Sequence, residues 1–128
     1  MQNRLRVYVA GPYSAPTEAE RLANTQRAIA AGLEIFALGH VPYIPHLTHY
    51  VDAYAQQSGF QMRWEDYITL DLAWLDLCDA LLYLGPSRGA DLELQYAKNE
   101  GKIIFHSIAG ITRCVDLMRD VSVASERR

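Results

Sequence analysis

The chain has little cysteine: two, Cys78 and Cys114, among 128 residues. So sparse a pair excludes a disulfide framework and fits thiols kept reduced inside a cell. It has no apolar run approaching the roughly 20 residues that span a bilayer, so a membrane partner is not expected. It lacks a basic excess, with 12 Lys and Arg against 15 Asp and Glu and a net charge of −3. Without a basic stripe, binding to a DNA or RNA polymer is not expected either. Internal repeats and low-complexity tracts are missing. Met1-Gln2-Asn3-Arg4 leads straight into a strand-like segment, which is not the pattern of a signal peptide. The expectation is one soluble cytoplasmic domain over residues 1–128, long enough for one core and too short for two.

What is present is an alternation of short apolar runs and helical patterns. Leu5 to Ala10 is β-branched and aromatic and stops at Gly11-Pro12, as a buried strand before a turn does. Thr17-Glu18-Ala19-Glu20 is a capping box opening a helix along Leu22, Ile29, Leu33 and Phe36, with Gly39 as its stop. Val41 to Pro45 reads as a strand whose two prolines place it at a sheet edge. Phe60 to Leu77 reads as a helix with one stripe through Trp64, Tyr67, Ile68, Asp71, Leu75 and Cys78 and a second through Leu70, Trp74 and Leu77. Ala80 to Leu84 is a buried strand, Gly85 to Gly89 a loop, Ala90 to Asn99 a helix and Ile103 to Phe105 a strand. A last helix is expected from about Ile111 to Asp120, followed by a frayed tail from Ser125 to Arg128. Such alternation predicts an α/β fold: a small doubly wound, flavodoxin- or Rossmann-like parallel sheet flanked by helices. Ligands bind such sheets at the carboxyl ends of the strands, where the connection order reverses. The site is therefore expected between Gly11 to Pro16 and Gly85 to Gly89.

Two acids fall on inner faces. Glu93 lies three residues after Ala90 and four before Ala97, and Asp71 sits within the stripe of Tyr67, Ile68 and Leu75. An inward carboxylate is costly unless paired or used. Glu93 could merely complement a helix dipole, although Asp91 suits that role better, and Asp71 could be a core aspartate bonded to a neighbouring loop. Two such acids beside one crevice are the apparatus of glycosidic cleavage, where one faces the developing cation and the other manages a proton. Gly85-Pro86-Ser87-Arg88-Gly89 offers amides, a hydroxyl and a guanidinium to an anion at a helix N-terminus, without the Lys-Ser/Thr ending of a Walker loop. Gly11, Tyr13 and Ser14 form the opposite candidate wall. His46, His49 and Asp52 have a conceivable metal-ligand spacing. Their assignment is instead to a segment that covers the pocket, His46 offering a ring to a base.

The residues Val7-Tyr8-Val9-Ala10-Gly11-Pro12, Asp71-Leu72-Ala73-Trp74-Leu75 with Cys78-Asp79-Ala80, and Ser87-Arg88-Gly89-Ala90-Asp91-Leu92-Glu93-Leu94 resemble the nucleoside 2-deoxyribosyltransferase superfamily, which includes nucleoside 5′-monophosphate N-glycosidases. With the intervening elements the likeness covers most of residues 5–106. It is nearest to short bacterial and phage members with a Pro-His-Leu-Thr-His segment. The resemblance implies that Glu93 attacks or shields the anomeric carbon, that Asp71 assists departure of the base and holds the sugar, and that Tyr8 orients the glutamate. Ser87, six residues before Glu93, matches a phosphate-binding serine, with Arg88 and Gly89 beside it. Gly11-Pro12-Tyr13-Ser14 departs from the Ser-Ile-Arg-Gly type of loop in the family's nucleotidases.

The resulting expectation is hydrolysis of a (deoxy)nucleoside 5′-monophosphate with release of free base, needing no metal or organic cofactor. Deoxyribosyl transfer between bases is the alternative within that chemistry, and a non-catalytic nucleotide-binding or sensing module the alternative outside it. The expected partners are a small nucleoside or nucleotide and further copies of the chain, as a homodimer or higher homo-oligomer.

Overall fold

The computed structural model describes residues 3–114. The elements run β1 (Arg6–Ala10), α1 (Glu18–Ala37), β2 (Val41–Tyr43), α2 (Thr48–Ser58), α3 (Trp64–Asp76), β3 (Ala80–Tyr83), α4 (Arg88–Asn99) and β4 (Ile103–Phe105), with 3₁₀ turns at Pro45–Leu47 and Ile108–Gly110. The strands pair in parallel in the order β2-β1-β3-β4. From β1 the chain moves to β2 on one side, then recrosses to β3 on the other. The connection order thus reverses between β1 and β3, which opens the crevice above their carboxyl ends.

The two-residue period of a strand sorts β1 between two cores. Val7 and Val9 pack with Ala28, Ala31 and Ile35 of α1, together with Ala80 and Leu82 of β3. Tyr8 and Ala10 point to the other face, against Leu75, Cys78, Leu81, Ala90 and Ala97. Helices therefore cover both faces, the arrangement that lets parallel strands be apolar throughout. The same alternation is what sends Tyr8 toward α3 and α4.

Local chemistry sets most boundaries where the sequence places them. Thr17 Oγ1 accepts from the Glu20 amide at 3.1 Å and donates to Glu20 Oε1 at 3.0 Å, opening α1. β2 is an edge strand, and it ends at Tyr43 because Pro45 begins a 3₁₀ turn. β3 ends at Tyr83, one residue early. α4 begins two residues early, at Arg88, because Ser87 Oγ accepts from the Ala90 amide at 3.0 Å.

Three expectations need correction. The segment after Pro45 contains an unforeseen helix, α2, which Gly59 ends in the left-handed conformation at φ 78°. Residues 60–63 are consequently not helical, and α3 starts at Trp64, with the Asp66 carboxylate accepting from the Arg63 amide at 2.8 Å. The helix expected from Ile111 does not form over residues 111–114. There the Cys114 amide donates to Leu38 O at 2.8 Å and His40 Nε2 donates to Thr112 O at 2.6 Å, drawing the chain across the end of α1. The remainder of that helix and the expected frayed tail lie outside the described residues.

Gly39 makes this junction possible. Its φ is 92°, and a Cβ there would lie 2.6 Å from the Cys114 carbonyl oxygen. Gly39→Ala is expected to destabilise the fold by about 1–3 kcal/mol, from left-handed strain and the clash together. Chemical denaturation measures this, and an unchanged midpoint would show that the junction does not contribute.

Candidate functional site

A cavity of about 640 Å³ opens at the switch point, within the range of small-molecule sites. Three sets of residues line it: Gly11, Tyr13 and Ser14 after β1; Ser87, Arg88, Gly89 and Glu93 around the start of α4; and Asp71 on α3. His46 joins them from the 3₁₀ turn after β2. Every site residue expected from the sequence lines this one cavity except Tyr8, which stands behind Glu93. The Tyr8 side chain is fully buried, and its hydroxyl donates to Glu93 Oε2 at 2.7 Å.

Glu93 and Asp71 are only 5% and 8% exposed. Burial pushes the Glu93 carboxyl up to about 8. The hydrogen bond from Tyr8 opposes that rise, and the Asp71 charge adds to it. Burial alone takes Asp71 up to about 7, and its Oδ1 has no hydrogen-bond partner among the described residues. Burial, with the charges of Glu93 and Asp71, holds the Tyr8 phenol well above its ordinary range, so it stays a donor. Both groups therefore retain proton nearer neutrality than ordinary carboxyls do.

At the start of α4 the Ser87 hydroxyl caps the helix with its oxygen and keeps its own proton free to donate. The Arg88 and Gly89 amides of the first turn lack intrahelical acceptors and point outward with the positive end of the helix dipole, while Ser87 takes the Ala90 amide. Arg88 lies with its guanidinium carbon 3.9 Å from the centre of the Trp64 ring, which orders it without neutralising it. Arg21 adds a second guanidinium to the wall, held by Ala15 O at 2.8 Å and by Glu18 Oε2 at 3.1 Å. Polar hydrogens and the Arg88 charge thus collect at the start of α4, while Arg21 puts its charge beside the β1 loop.

One match is decisive for classification. The family model of a domain of unknown function, DUF4406, matches residues 5–106. The chain belongs to that family. No curated protein matches the sequence. The matched span of this DUF4406 domain runs from the entry to β1 to just past β4, so it contains every residue of the cavity wall.

His46 has a structural part as well. Its Nε2 faces Gly11 O at 3.0 Å and Pro12 O at 3.1 Å. Two carbonyls can only accept, so the ring donates from Nε2 and pins the β1 loop. Burial lowers its pKa, and Nδ1 has no partner among the described residues. His46, His49 and Asp52 do not converge. His49 turns to Tyr13 and Glu18, while Asp52 accepts from Tyr67 at 2.9 Å and from Gln56 at 2.8 Å. Among the described residues no cluster of three His, Cys, Asp or Glu side chains forms a metal-binding group.

Sequence reading missed Arg21, Gln56, Met62, Trp64 and Tyr67 as members of the wall, while Asp52 belongs to the segment expected to cover the pocket and does line it. Trp64 and Tyr67 carried a signal in sharing the stripe of Asp71. Gln56 carried none, because α2 itself was not foreseen.

The raised carboxyl groups have a consequence for stability. Between an unfolded-state value near 4.5 and a folded value near 8, the folded protein holds Glu93's proton more tightly than the unfolded chain does. Stability contributed by this group is therefore lost as pH rises through that window. Glu93→Gln keeps the shape and removes the titration. The stability of the variant relative to the parent is expected to rise between pH 4.5 and pH 8, by on the order of 2–4 kcal/mol. Urea denaturation at the two pH values measures it, and a pH-independent difference would mean that Glu93 is not held protonated by burial.

Proposed function

We propose that this DUF4406 domain cleaves the N-glycosidic bond of a nucleoside 5′-monophosphate and releases the free base. The observation that carries the reading is the buried pair Glu93 and Asp71 on the wall of one cavity, the first held by Tyr8 at 2.7 Å. The resemblance of the segments around Tyr8, Asp71 and Glu93 to the nucleoside 2-deoxyribosyltransferase superfamily supports the same assignment.

The departing base leaves positive charge on the anomeric carbon and takes up a proton. Glu93 answers the first need in the fraction of molecules in which it is the anion and Asp71 holds the proton, the less populated arrangement because burial raises Glu93 further than Asp71; as a nucleophile it forms a glycosyl ester with that carbon. The Tyr8 hydrogen bond favours this anion and aims it. Asp71, as the neutral acid, gives its proton to the leaving base. Ser87, Arg88 and the first-turn amides of α4 take the 5′-phosphate, since an anion belongs at a helix N-terminus beside a guanidinium. Water as acceptor gives hydrolysis; a second base would give transfer.

A panel of nucleosides and monophosphates, with chromatography for free base, tests the activity. The parent is expected to release base and to prefer monophosphates, with kcat/KM passing through a maximum between limbs near 7 and 8. Glu93→Gln should lower turnover by at least about two decades with little change in ground-state binding. Arg88→Ala should cost about one to two decades on monophosphates and much less on nucleosides. Binding without any base release would mark a nucleotide-sensing module, and equal Arg88→Ala losses on both substrate types would move the assignment to nucleoside transfer.

We propose further that the domain works as a homodimer or higher homo-oligomer through the outer face of α3. Leu70, Trp74 and Leu77 are 46%, 50% and 56% exposed there, and Trp74 stacks on Tyr43 at 5.5 Å. An apolar patch of this kind marks an interface. Light scattering is expected to give at least twice 14.4 kDa, reduced by Trp74→Glu; a monomeric mass for the parent would overturn the assignment.

A further inference from the structure

Tyr13 lines the cavity, and its hydroxyl meets His49 Nδ1 at 3.0 Å. On the far side of the ring, His49 Nε2 lies 3.0 Å from Glu18 Oε1, with the His49 side chain 6% exposed and the Glu18 side chain 66% exposed. The carboxylate only accepts, so Nε2–H donates to it. The uncharged ring then presents Nδ1 as the acceptor for the Tyr13 O–H. Three elements bring these groups together: Tyr13 from the loop after β1, Glu18 from the first turn of α1 and His49 from the first turn of α2. The line runs from the cavity wall, through a buried imidazole, to a carboxylate in solvent. Its hydrogen bonds all point outward, the orientation that accepts a proton from the cavity. Gripping the loop alone would not require a titratable ring between the phenol and the acid.

We propose that Tyr13, His49 and Glu18 form a proton relay that deprotonates the water attacking the anomeric carbon. This rests on the glycosidic reading of the cavity. The water oxygen forms the new bond to the anomeric carbon as the bond from that carbon to Glu93 breaks, its electron pair returning to the carboxylate. The water proton passes to the Tyr13 oxygen while the Tyr13 proton passes to His49 Nδ1. The resulting imidazolium is paired with the Glu18 carboxylate and gives the proton up to solvent. Burial raises the Tyr13 pKa, so the phenol does not ionise by itself and both transfers occur together. Asp71 is thereby left to serve the departing base, and the two proton events of one turnover use separate routes.

Rapid-quench kinetics on a 5′-monophosphate, with mass spectrometry of the protein, separates the two halves of the turnover. Tyr13→Phe keeps the ring that packs edge-on against His46 and His49. It is expected to release the first equivalent of base at the parent rate, then to turn over about 10²-fold more slowly while a glycosyl adduct accumulates. His49→Ala should show the same defect and recover with added imidazole. Unchanged steady-state turnover in Tyr13→Phe, or equal loss of the first equivalent and the steady state, overturns the relay and leaves the glycosidic reading standing. Failure of the parent to release base from any nucleotide or nucleoside overturns both.

Discussion

The hydrogen bond from Tyr8 to Glu93 joins the central strand to the helix that follows its neighbour, and it is the contact around which the site is arranged. A carboxyl group this deeply buried is expensive in either state, and one donor is what makes its anion accessible at all. For the bond to form, β1 must present Tyr8 to the face that α4 covers, and α4 must present Glu93 inward six residues beyond its Ser87 cap. The first condition is met by strand alternation. The second is met by the spacing of Ala90, Glu93 and Ala97, all buried on one face of α4. Small residues on either side of Glu93 let the helix approach the sheet closely enough for the phenol to reach.

The sheet order supplies the rest of the geometry. Because β1 lies between β2 and β3, the loops that leave β1 and β3 diverge to opposite faces and leave a crevice that no main chain fills. His46 then ties the Gly11-Pro12 carbonyls to the turn after β2, so the floor of the crevice is anchored on three strands. α3 serves two surfaces at once. Its inner stripe carries Asp71 to the cavity, while its outer face leaves Trp74 lying on Tyr43, whose ring in turn sits 5.7 Å from that of Tyr8. A continuous aromatic row thus connects the outer face of α3 to the residue that holds Glu93.

This arrangement is costly to stability. Asp71 and Glu93 both have carboxyl groups raised by burial, and neither has a cation within a salt bridge among the described residues. The cavity's positive charge sits instead on Arg88 and Arg21, beside the α4 N-terminus and the β1 loop. Keeping cations out of salt bridges with the acids leaves burial to hold their protons, and the two guanidiniums give the cavity wall positive charge that a ligand with an anionic end can match.

The α/β class, the parallel sheet, the edge position of β2, the inward direction of Glu93 and Asp71, and the two loops that frame the crevice were all legible in the linear chain. Each is decided by short-range patterning: runs of apolar residues, caps such as Thr17, stops such as Gly39, and a helical period that assigns a face to every side chain. α2 was not legible, since its start follows a proline turn and no side chain caps it. Nor was the fate of residues 111–114, whose path follows from long-range bonds to Leu38 and His40 that outweigh local helical preference. His46 illustrates the same division. Its type and position suggested a ring facing a ligand, but two carbonyls thirty-four and thirty-five residues earlier claim its donor. Faces and periods belong to the sequence because they depend on neighbours a few residues away. Which side chains meet across the crevice was decided only by the tertiary structure, because hydrogen-bond partners distant in the chain are chosen by the packing of whole elements.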